Sequence, residues 1–253
     1  MKYLSASCIA LTLLLGGCAT EAELADKEAK RIRRVQVHTD LGATYLVRDQ
    51  LDVAQQELDL ALSLDSDDSQ ANHYMGLLQV RLKNLEKGER FLRRAVSLNP
   101  DNSDARNSYG VFLCERGRLD DADQQFQSAL KNALYQSSDQ ANVNAGICRL
   151  KKPDRRAAAE HFRAALKIVP TQPTALINMA RLSLEDGQAL AARGFMQRYL
   201  EVAKDTPDVL LLAFRIERAM GAKEGQASYA VKLRGKYPDS NEVRELRALT
   251  GTK

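Results

Sequence analysis

Residues 69–102 read SQANHYMGLLQVRLKNLEKGERFLRRAVSLNPDN, a segment with small residues at Gly76, Gly88 and Ala95 and with Pro100 near its end. The small residue at Gly76 recurs along the chain in both directions. Spacings of 34, 34, 36 and 34 residues separate Gly42, Gly76, Gly110, Gly146 and Ala180. Small residues let two helices approach closely, and a period of this length indicates an array of similar helical units.

Further columns keep the same register when Gly76 is counted as the eighth residue of its unit. Position 20 holds Ala54, Gly88, Ala122, Ala158 and Ala192; position 24 holds Leu58, Leu92, Phe126, Phe162 and Met196; position 27 holds Ala61, Ala95, Ala129 and Ala165. Pro100, Pro170 and Pro238 stand where second helices should stop, because proline cannot continue a helix. This is the pattern of the tetratricopeptide repeat, a helix–turn–helix unit.

The predicted fold is all-α, a right-handed superhelix (α-solenoid) of six tetratricopeptide repeats. One helical hairpin cannot bury its apolar face alone, so neighbouring hairpins must stack. The predicted repeats cover residues 35–68, 69–102, 103–138, 139–172, 173–206 and 207–240. Residues 241–253 form a C-terminal cap and tail, with a short capping helix predicted from Asn241 to Leu249 by the helical spacing of its apolar residues.

The start of the chain has the organisation of a bacterial lipoprotein. A charged start and an apolar run predict a signal peptide over residues 1–17. Residues 15–18 read LGGC, which provides the small residues that lipoprotein signal peptidase requires before a lipid-modified Cys18. The alternative is an ordinary signal peptide with an incidental cysteine. Two or three acyl chains would hold the protein on a membrane almost permanently.

Ala19 occupies the position where aspartate commonly retains bacterial lipoproteins at the inner membrane. We therefore expect a lipid-anchored outer-membrane protein whose repeats face the periplasm. Residues 18–34 are charged and alanine-rich, which predicts a lipidated, partly helical tether. It is either a solvated spacer or a segment whose basic end touches anionic head groups.

Charge and cysteine content narrow the classes of function. The formal net charge is +4, with basic and acidic residues interspersed. No aromatic and basic cluster suggests nucleic-acid binding. Outside the signal and the lipidation site, Cys114 and Cys148 remain in a compartment that is kept oxidising. They either form a disulfide or serve as two buried thiols.

No arrangement of catalytic residues is found in the sequence. His38, His73 and His161 belong to different repeats and have no cysteine or acid at metal-ligand spacing. We expect them to be ordinary helix-surface or interface residues. No hydrolase elbow, HExxH, phosphate loop or dinucleotide-binding motif occurs. We therefore predict a binding scaffold and not an enzyme, with no metal and no cofactor besides the covalent lipid.

The concave wall of the predicted superhelix is the candidate binding surface. Positions 2, 5, 9, 12 and 13 of the first helices face this groove in the repeat fold. The predicted partner-binding residues are Ala43, Leu46, Val47, Leu77, Val80, Val111, Ile147 and Leu150. An exposed apolar patch usually marks a partner site, here one for an extended or helical peptide. The alternative is that tight curvature buries these side chains against one another.

Arginines of the last two repeats, Arg181, Arg215 and Arg218, would select acidic residues of such a peptide. We expect the chain to be a monomer.

The combination of lipobox and six repeats suggests a family. The third repeat contains NSYGVFLCERG over residues 107–117, and the fourth contains NAGIC over residues 144–148. With the lipobox, these segments resemble the PilF/PilW family of type IV pilus biogenesis and stability lipoproteins. The resemblance covers nearly the whole mature chain. It implies a pilotin, which binds the outer-membrane secretin of the type IV pilus and promotes its localisation and multimerisation, so that twitching motility depends on it. We expect repeats one to three to make that contact.

Other classes remain open at this stage. A lipoprotein adaptor of the β-barrel assembly machinery is one alternative, and an adaptor that docks cell-wall hydrolases is another. An enzyme is a third, although no recognisable site supports it.

Overall fold

The computed structural model describes the backbone of residues 4–251 and the side chains of residues 21–251. Residues 4–251 form thirteen α-helices and no β-strand. The helices are α1 (Leu4–Val47), α2 (Leu51–Leu64), α3 (Ser69–Arg81), α4 (Leu85–Leu98), α5 (Ser103–Glu115), α6 (Leu119–Leu130), α7 (Ser138–Lys151), α8 (Arg155–Ile168), α9 (Pro173–Glu185), α10 (Ala189–Val202), α11 (Pro207–Ala219), α12 (Lys223–Lys236) and α13 (Asn241–Thr250).

The predicted signal peptide and the predicted lipid on Cys18 lie outside the residues whose side chains are described. Within the described part of the chain, no helix is both long enough and apolar enough to cross a bilayer.

The chain comprises two compact units, Met1–Tyr109 and Gly110–Lys253. In the first unit α1 packs on α2 and α3 packs on α4, and in the second unit the same pairing joins α7 with α8, α9 with α10 and α11 with α12. Turns of three residues connect the helices of each pair. Consecutive helical pairs of this kind are typical of a tetratricopeptide-repeat solenoid, so the predicted all-α repeat fold is confirmed.

Close approach within a hairpin depends on the small residue at position 8. A Cβ atom on Gly42 would lie 2.6 Å from Cγ of Leu58, the residue at position 24 of the same repeat. The same relation recurs in three further repeats. The pairs are Gly76 with Leu92, Gly110 with Phe126, and Gly146 with Phe162. The large side chain of the second helix therefore fills the space that the glycine leaves, as the sequence columns indicated.

The turn inside each hairpin has a common backbone conformation. Position 15 has a φ angle between 61° and 77° in five of the repeats, at Asp49, Lys83, Gly117, Gly187 and Gly221. Glycine adopts this left-handed conformation without a steric penalty, whereas a residue with a Cβ atom does not. Three of the six repeats therefore carry glycine at the turn.

The ends of the second helices and the C-terminal cap agree with the predictions. α4, α8 and α12 end at Leu98, Ile168 and Lys236, two residues before Pro100, Pro170 and Pro238. The capping helix α13 begins at Asn241, as predicted, and ends one residue later than predicted. Its N-terminus is capped by Ser240, whose hydroxyl accepts a hydrogen bond of 3.3 Å from the backbone N–H of Val243.

Two boundaries differ from the predicted repeat limits. Residues 34 and 35, the predicted junction of tether and first repeat, lie inside the continuous helix α1. The fourth repeat begins one residue early, because α7 starts at Ser138. The longer spacing between Gly110 and Gly146 is taken up by the α6–α7 connection, where Tyr135 is buried against Ala129 and Ala141.

Candidate partner-binding site

In the first unit, Leu46 belongs to the core and does not line an open surface. Its side chain is only 8% exposed and packs in a cluster with Leu58, Met75 and Leu78. The neighbouring Val47 is 87% exposed. The prediction that Leu46 contributes to a partner-binding groove was therefore wrong, because position 12 of the first helix turns toward the second helix and the next repeat.

The other predicted residues of the first unit are partly covered. Val80, also at position 12, lies against α4, since a Cβ atom on Gly88 would approach its Cγ2 to 2.7 Å. Leu77 packs at the edge of the same cluster as Leu46 and is half-buried, and Ala43 is half-buried as well. The accessible apolar surface here is narrower than the sequence columns suggested.

In the second unit, the three predicted residues differ in exposure. Ile147 is 38% exposed, whereas Val111 and Leu150 are half-buried. Leu150 packs against a core cluster that contains Phe162 and Met179. Of the three, Ile147 presents the most surface to a partner.

Cys114 of α5 and Cys148 of α7 are joined in a disulfide, with their Cα atoms 5.8 Å apart. Both residues are also buried. The bond therefore links the first helices of the third and fourth repeats, across a sequence separation of 34 residues. Closing a loop of that length stabilises a fold by about 3–4 kcal/mol in the chain-entropy model.

A half-buried ion pair lies one residue beyond the disulfide. The guanidinium of Arg149 contacts the carboxylate of Asp123 at 2.5 Å and that of Asp154 at 3.6 Å. Two nearby lysines also contact the third repeat: Lys151 Nζ donates to the carbonyl oxygen of Cys114 at 3.4 Å, and Lys152 pairs with Asp120. These contacts reinforce the junction that the disulfide makes.

The three histidines have structural surroundings. His73 is buried between the first helices of the second and third repeats, where its Nε2 lies 2.8 Å from the Ser108 hydroxyl, which is an interface position as expected. Burial lowers the pKa of His73 to about 4. His38 Nδ1 lies 2.7 Å from Glu57, and His161 Nδ1 lies 3.0 Å from the Asn142 side-chain oxygen. Among residues 21–251, no group of three or more His, Cys, Asp or Glu side chains could hold a metal ion.

An acidic cavity of about 410 Å³ lies in the first unit. It is formed by α1, the α2–α3 connection and the start of α3. Its lining residues are Ile32, Val35, Gln36, Thr39, Asp40, Asp65, Asp68 and Gln70. Gln36 and Gln70 stand at position 2 of their repeats and Thr39 at position 5, which are columns that the repeat fold assigns to the concave face.

The arginines of the last two repeats are not all free. Arg215 of α11 forms an ion pair with Glu245 of α13. Arg181 lines a mixed-charge cavity of about 250 Å³ together with Glu185, Asp208 and Glu242. The selection of acidic ligand residues by Arg215 stays a prediction, and in this structure the capping helix supplies an acidic partner for it.

Comparison with known proteins agrees with the repeat architecture. Models of the tetratricopeptide repeat match residues 69–102, 91–124 and 149–213. The type IV pilus assembly protein PilF of Pseudomonas aeruginosa is 26% identical over 242 residues, which cover 94% of this chain and 95% of PilF. The solved structure of PilF superposes with a TM-score of 0.81 at 25% identity, over 86% of this chain and 98% of that chain. The chain is a PilF/PilW-like tetratricopeptide-repeat protein.

The likeness extends to PilW. The crystal structure of PilW, described as a widely conserved type IV pilus biogenesis factor, has a TM-score of 0.74 and 28% identity, over 85% of this chain and 98% of that chain. The similarity thus extends over nearly the whole length of both solved structures.

Sequence reasoning missed two features of this PilF/PilW-like protein. One is the acidic cavity, whose acids Asp40 and Asp65 are far apart in sequence and come together only when α1 packs beside the α2–α3 connection. The other is an apolar pair on α1, Val37 and Leu41, which are 49% and 37% exposed. Their spacing of four residues places both on one helix face, and this signal was present in the sequence.

Proposed function

We propose that this chain is a pilotin: an outer-membrane lipoprotein that binds the type IV pilus secretin, promotes its localisation and multimerisation there, and supports pilus biogenesis and twitching motility. The observation that carries the proposal is the likeness to PilF, a type IV pilus assembly protein, over 94% of this chain. The likeness to PilW, a type IV pilus biogenesis factor, supports the same role. In both cases the shared part is the helical-repeat array, whose established use is to bind other polypeptides.

A lipid on Cys18 would place this array at the membrane. The following helical segment is exposed and is stabilised by pairs one turn apart, with Lys27 Nζ 3.0 Å from Glu23 and Lys30 Nζ 2.7 Å from Asp26. Each such pair stabilises an exposed helix by about 0.2–0.5 kcal/mol. At about 1.5 Å per residue, residues 21–34 would span roughly 20 Å. This segment would hold the repeats away from the lipid surface, where a second protein could reach them.

The first repeat offers the apolar surface that a secretin subunit would contact. Val37 and Leu41 lie one turn apart on α1 and are both exposed, and Val47 projects from the end of the same helix. An unassembled secretin subunit has apolar surface of its own before it multimerises in the membrane. Covering that surface with the α1 face would protect the subunit until it reaches the outer membrane.

The test compares secretin in three strains. One lacks the chain, a second carries the variant Val37→Gln/Leu41→Gln/Val47→Gln, and a third carries the control variant Leu190→Gln/Val231→Gln, which alters two exposed apolar residues of the second unit. Secretin multimers are measured by denaturing electrophoresis without heating, and secretin location by membrane fractionation. We expect monomeric, mislocalised secretin in the first two strains and normal multimers in the control.

The outcomes separate two levels of the proposal. Normal outer-membrane multimers in the deletion strain would disprove the pilotin function. Monomers in the deletion strain together with normal multimers in the α1 variant would leave the function standing and disprove the assignment of the surface. Cellular levels of each variant, measured by immunoblot, exclude loss of the protein as the cause.

A further inference from the structure

Helix α1 carries a regular stripe of exposed residues along the first repeat. On the side that packs against α2 and α3, its buried residues are Val35, Thr39, Gly42 and Leu46. A second series at the same kind of spacing stays exposed, and it consists of Arg34, Val37, Leu41, Thr44 and Arg48. Because an α-helix turns through about 100° per residue, the two series lie on roughly opposite faces of α1. The exposed series is called the α1 stripe below.

The α1 stripe has the spacing of a coiled-coil seam. Steps of 3, 4, 3 and 4 residues separate its members. This is the periodicity with which one helix packs along the side of another. From Arg34 to Arg48 the stripe is about 21 Å long, which is close to four helical turns. Its shape therefore suits a second helix that lies along α1.

Charge and polarity vary along the stripe in a simple order. Its centre holds Val37 and Leu41, which are 49% and 37% exposed, and each end holds an exposed arginine. Neither Arg34 nor Arg48 forms an ion pair with any of residues 21–251. A complementary helix would present apolar side chains at its centre and a carboxylate toward each end.

The last repeat shows how this chain covers a terminal hairpin with a helix. There α13 packs on α11 with Val243 and Leu246 buried, and Glu245 of α13 forms an ion pair with Arg215 of α11. A short helix thus brings apolar residues and an acid to an arginine of the first helix of that hairpin. Among residues 21–251, no helix covers the α1 stripe in the same way.

Two other occupants match the stripe less well. Pairing the α1 stripes of two copies of this chain would place an arginine opposite an arginine in either orientation, because there is one at each end, and like charges oppose association. A helix that lies in a membrane surface needs a broad apolar face, whereas this stripe offers two aliphatic side chains. A helix of opposite charge pattern satisfies both the centre and the ends.

We propose that the α1 stripe pairs with an amphipathic helix of the polypeptide that this protein binds, a helix with apolar residues at its centre and an acidic residue near each end. The inference rests on the proposed function and specifies the chemistry of the partner segment. The apolar residues pack against Val37 and Leu41, and the acids pair with Arg34 and Arg48. The partner helix covers the first repeat as α13 covers the last.

The experiment uses the full chain in detergent and three fluorescein-labelled peptides of about 15 residues, long enough to cover the stripe. The first has leucine at the central seam positions and glutamate at the two terminal ones, and a hydrocarbon staple on its far side holds it helical. The second replaces the glutamates with lysine. The third keeps the glutamates but has a central proline and no staple, so that it cannot form the helix.

Fluorescence polarisation at low salt measures the three affinities. We expect the glutamate peptide to bind about tenfold more tightly than the lysine peptide, because two exposed ion pairs are exchanged for two repulsive pairs. The proline peptide should not bind. Equal affinities for the glutamate and lysine peptides would overturn the inference, and so would a proline peptide that binds as tightly as the stapled one.

Matched variants locate the preference on α1. Arg34→Glu/Arg48→Glu should reverse it, so that the lysine peptide binds more tightly. The control Arg90→Glu/Arg93→Glu changes the net charge equally at two exposed arginines of α4 and should keep the original preference. Val37→Gln/Leu41→Gln should weaken both stapled peptides. If the α4 control reversed the preference as well, the attraction would be one of overall charge and the α1 assignment would be wrong.

Other occupants have distinct outcomes. A dimer in analytical ultracentrifugation that Val37→Gln/Leu41→Gln dissociates, with no peptide preference, would assign the stripe to a second copy. Binding of the mature Cys18→Ser chain to phosphatidylglycerol vesicles that the same variant abolishes, again with no peptide preference, would assign it to the membrane. Either result overturns the inference.

Failure of the proposed function is separate from failure of this inference. Normal secretin multimers in the strain that lacks the chain would remove the pilotin function. A preference for the glutamate peptide that reverses in Arg34→Glu/Arg48→Glu would still identify the α1 stripe as a surface that binds an acidic amphipathic helix.

Discussion

In the first repeat, α1 leaves Val37 49% and Leu41 37% exposed, whereas in the last repeat α11 buries Leu210, Leu211 and Phe214 in a cluster with α12 and α13. A stack of helical hairpins must close its ends, because each terminal hairpin has an apolar face without a neighbour. The last repeat closes with a helix of its own chain. The first repeat keeps apolar side chains at its surface, and this difference is the physical reason for proposing the partner contact there.

The largest expected effect comes from introducing a carboxylate at each end of the repeat array in turn and comparing the two losses of stability. Leu246 of α13 is fully buried, so Leu246→Asp should cost about 4 kcal/mol or more, because an unpaired carboxylate enters an apolar cluster. Leu41→Asp should cost less than about 1 kcal/mol, since the carboxylate can stay in water. Urea unfolding of the full chain, followed by circular dichroism, measures both. Similar costs at the two positions would show that the ends do not differ.

A second test exploits the size of the residue at position 8. The first repeat has Gly42 against Leu58, whereas the last repeat has Phe214 at position 8 and Ala230 at position 24, in one buried cluster. The large and the small residue have exchanged helices. Gly42→Ala should therefore cost about 1–3 kcal/mol through overpacking, measured by thermal and urea unfolding.

The double variant is the control for that mechanism. Adding Leu58→Ala removes the atoms that the new methyl group would meet, so Gly42→Ala/Leu58→Ala should cost less than the sum of the two single changes. Additive costs would contradict direct contact as the cause. Phe214→Ala should instead destabilise the fold by removing packing atoms. A smaller partner cannot reduce that cost, because the partner position already holds alanine.

The smallest expected effect concerns the turn inside each hairpin. Gly221 of the last repeat has φ of 71° and Asp49 of the first repeat has φ of 61°. Gly221→Ala should cost about 1 kcal/mol, because a Cβ atom is strained in the left-handed region. Asp49→Gly should not destabilise and should gain up to about 0.5 kcal/mol, after loss of a surface ion pair with Arg81. If the two substitutions changed the free energy of unfolding by equal amounts in opposite directions, the two turns would carry the same backbone strain.

Much of the fold could be predicted because its signals are local or strictly periodic. Proline is excluded from the interior of a helix, and Pro100, Pro170 and Pro238 therefore marked the ends of three second helices. The recurring glycine predicted the close approach of paired helices, and Gly110 does lie against Phe126. The capping helix followed from apolar residues at helical spacing.

The candidate site was predicted less well. Helical position alone assigned both Leu46 and Val47 to one groove, yet one is buried and the other exposed. Position in a repeat describes a residue relative to its own helix, and exposure also depends on which neighbouring helix covers it. Arg215 shows the same limit, since its acidic partner belongs to a helix outside the repeat.

By itself, the sequence determined the number and type of the helical units, where their second helices end, and the presence of a capping helix, because each depends on residues a few positions apart. Tertiary structure alone decided that Cys114 bonds to Cys148, that Leu46 is core, and that Asp40, Asp65 and Asp68 line one cavity. These features depend on distances between segments brought together by packing, and a repeat period does not specify which side chains then face each other.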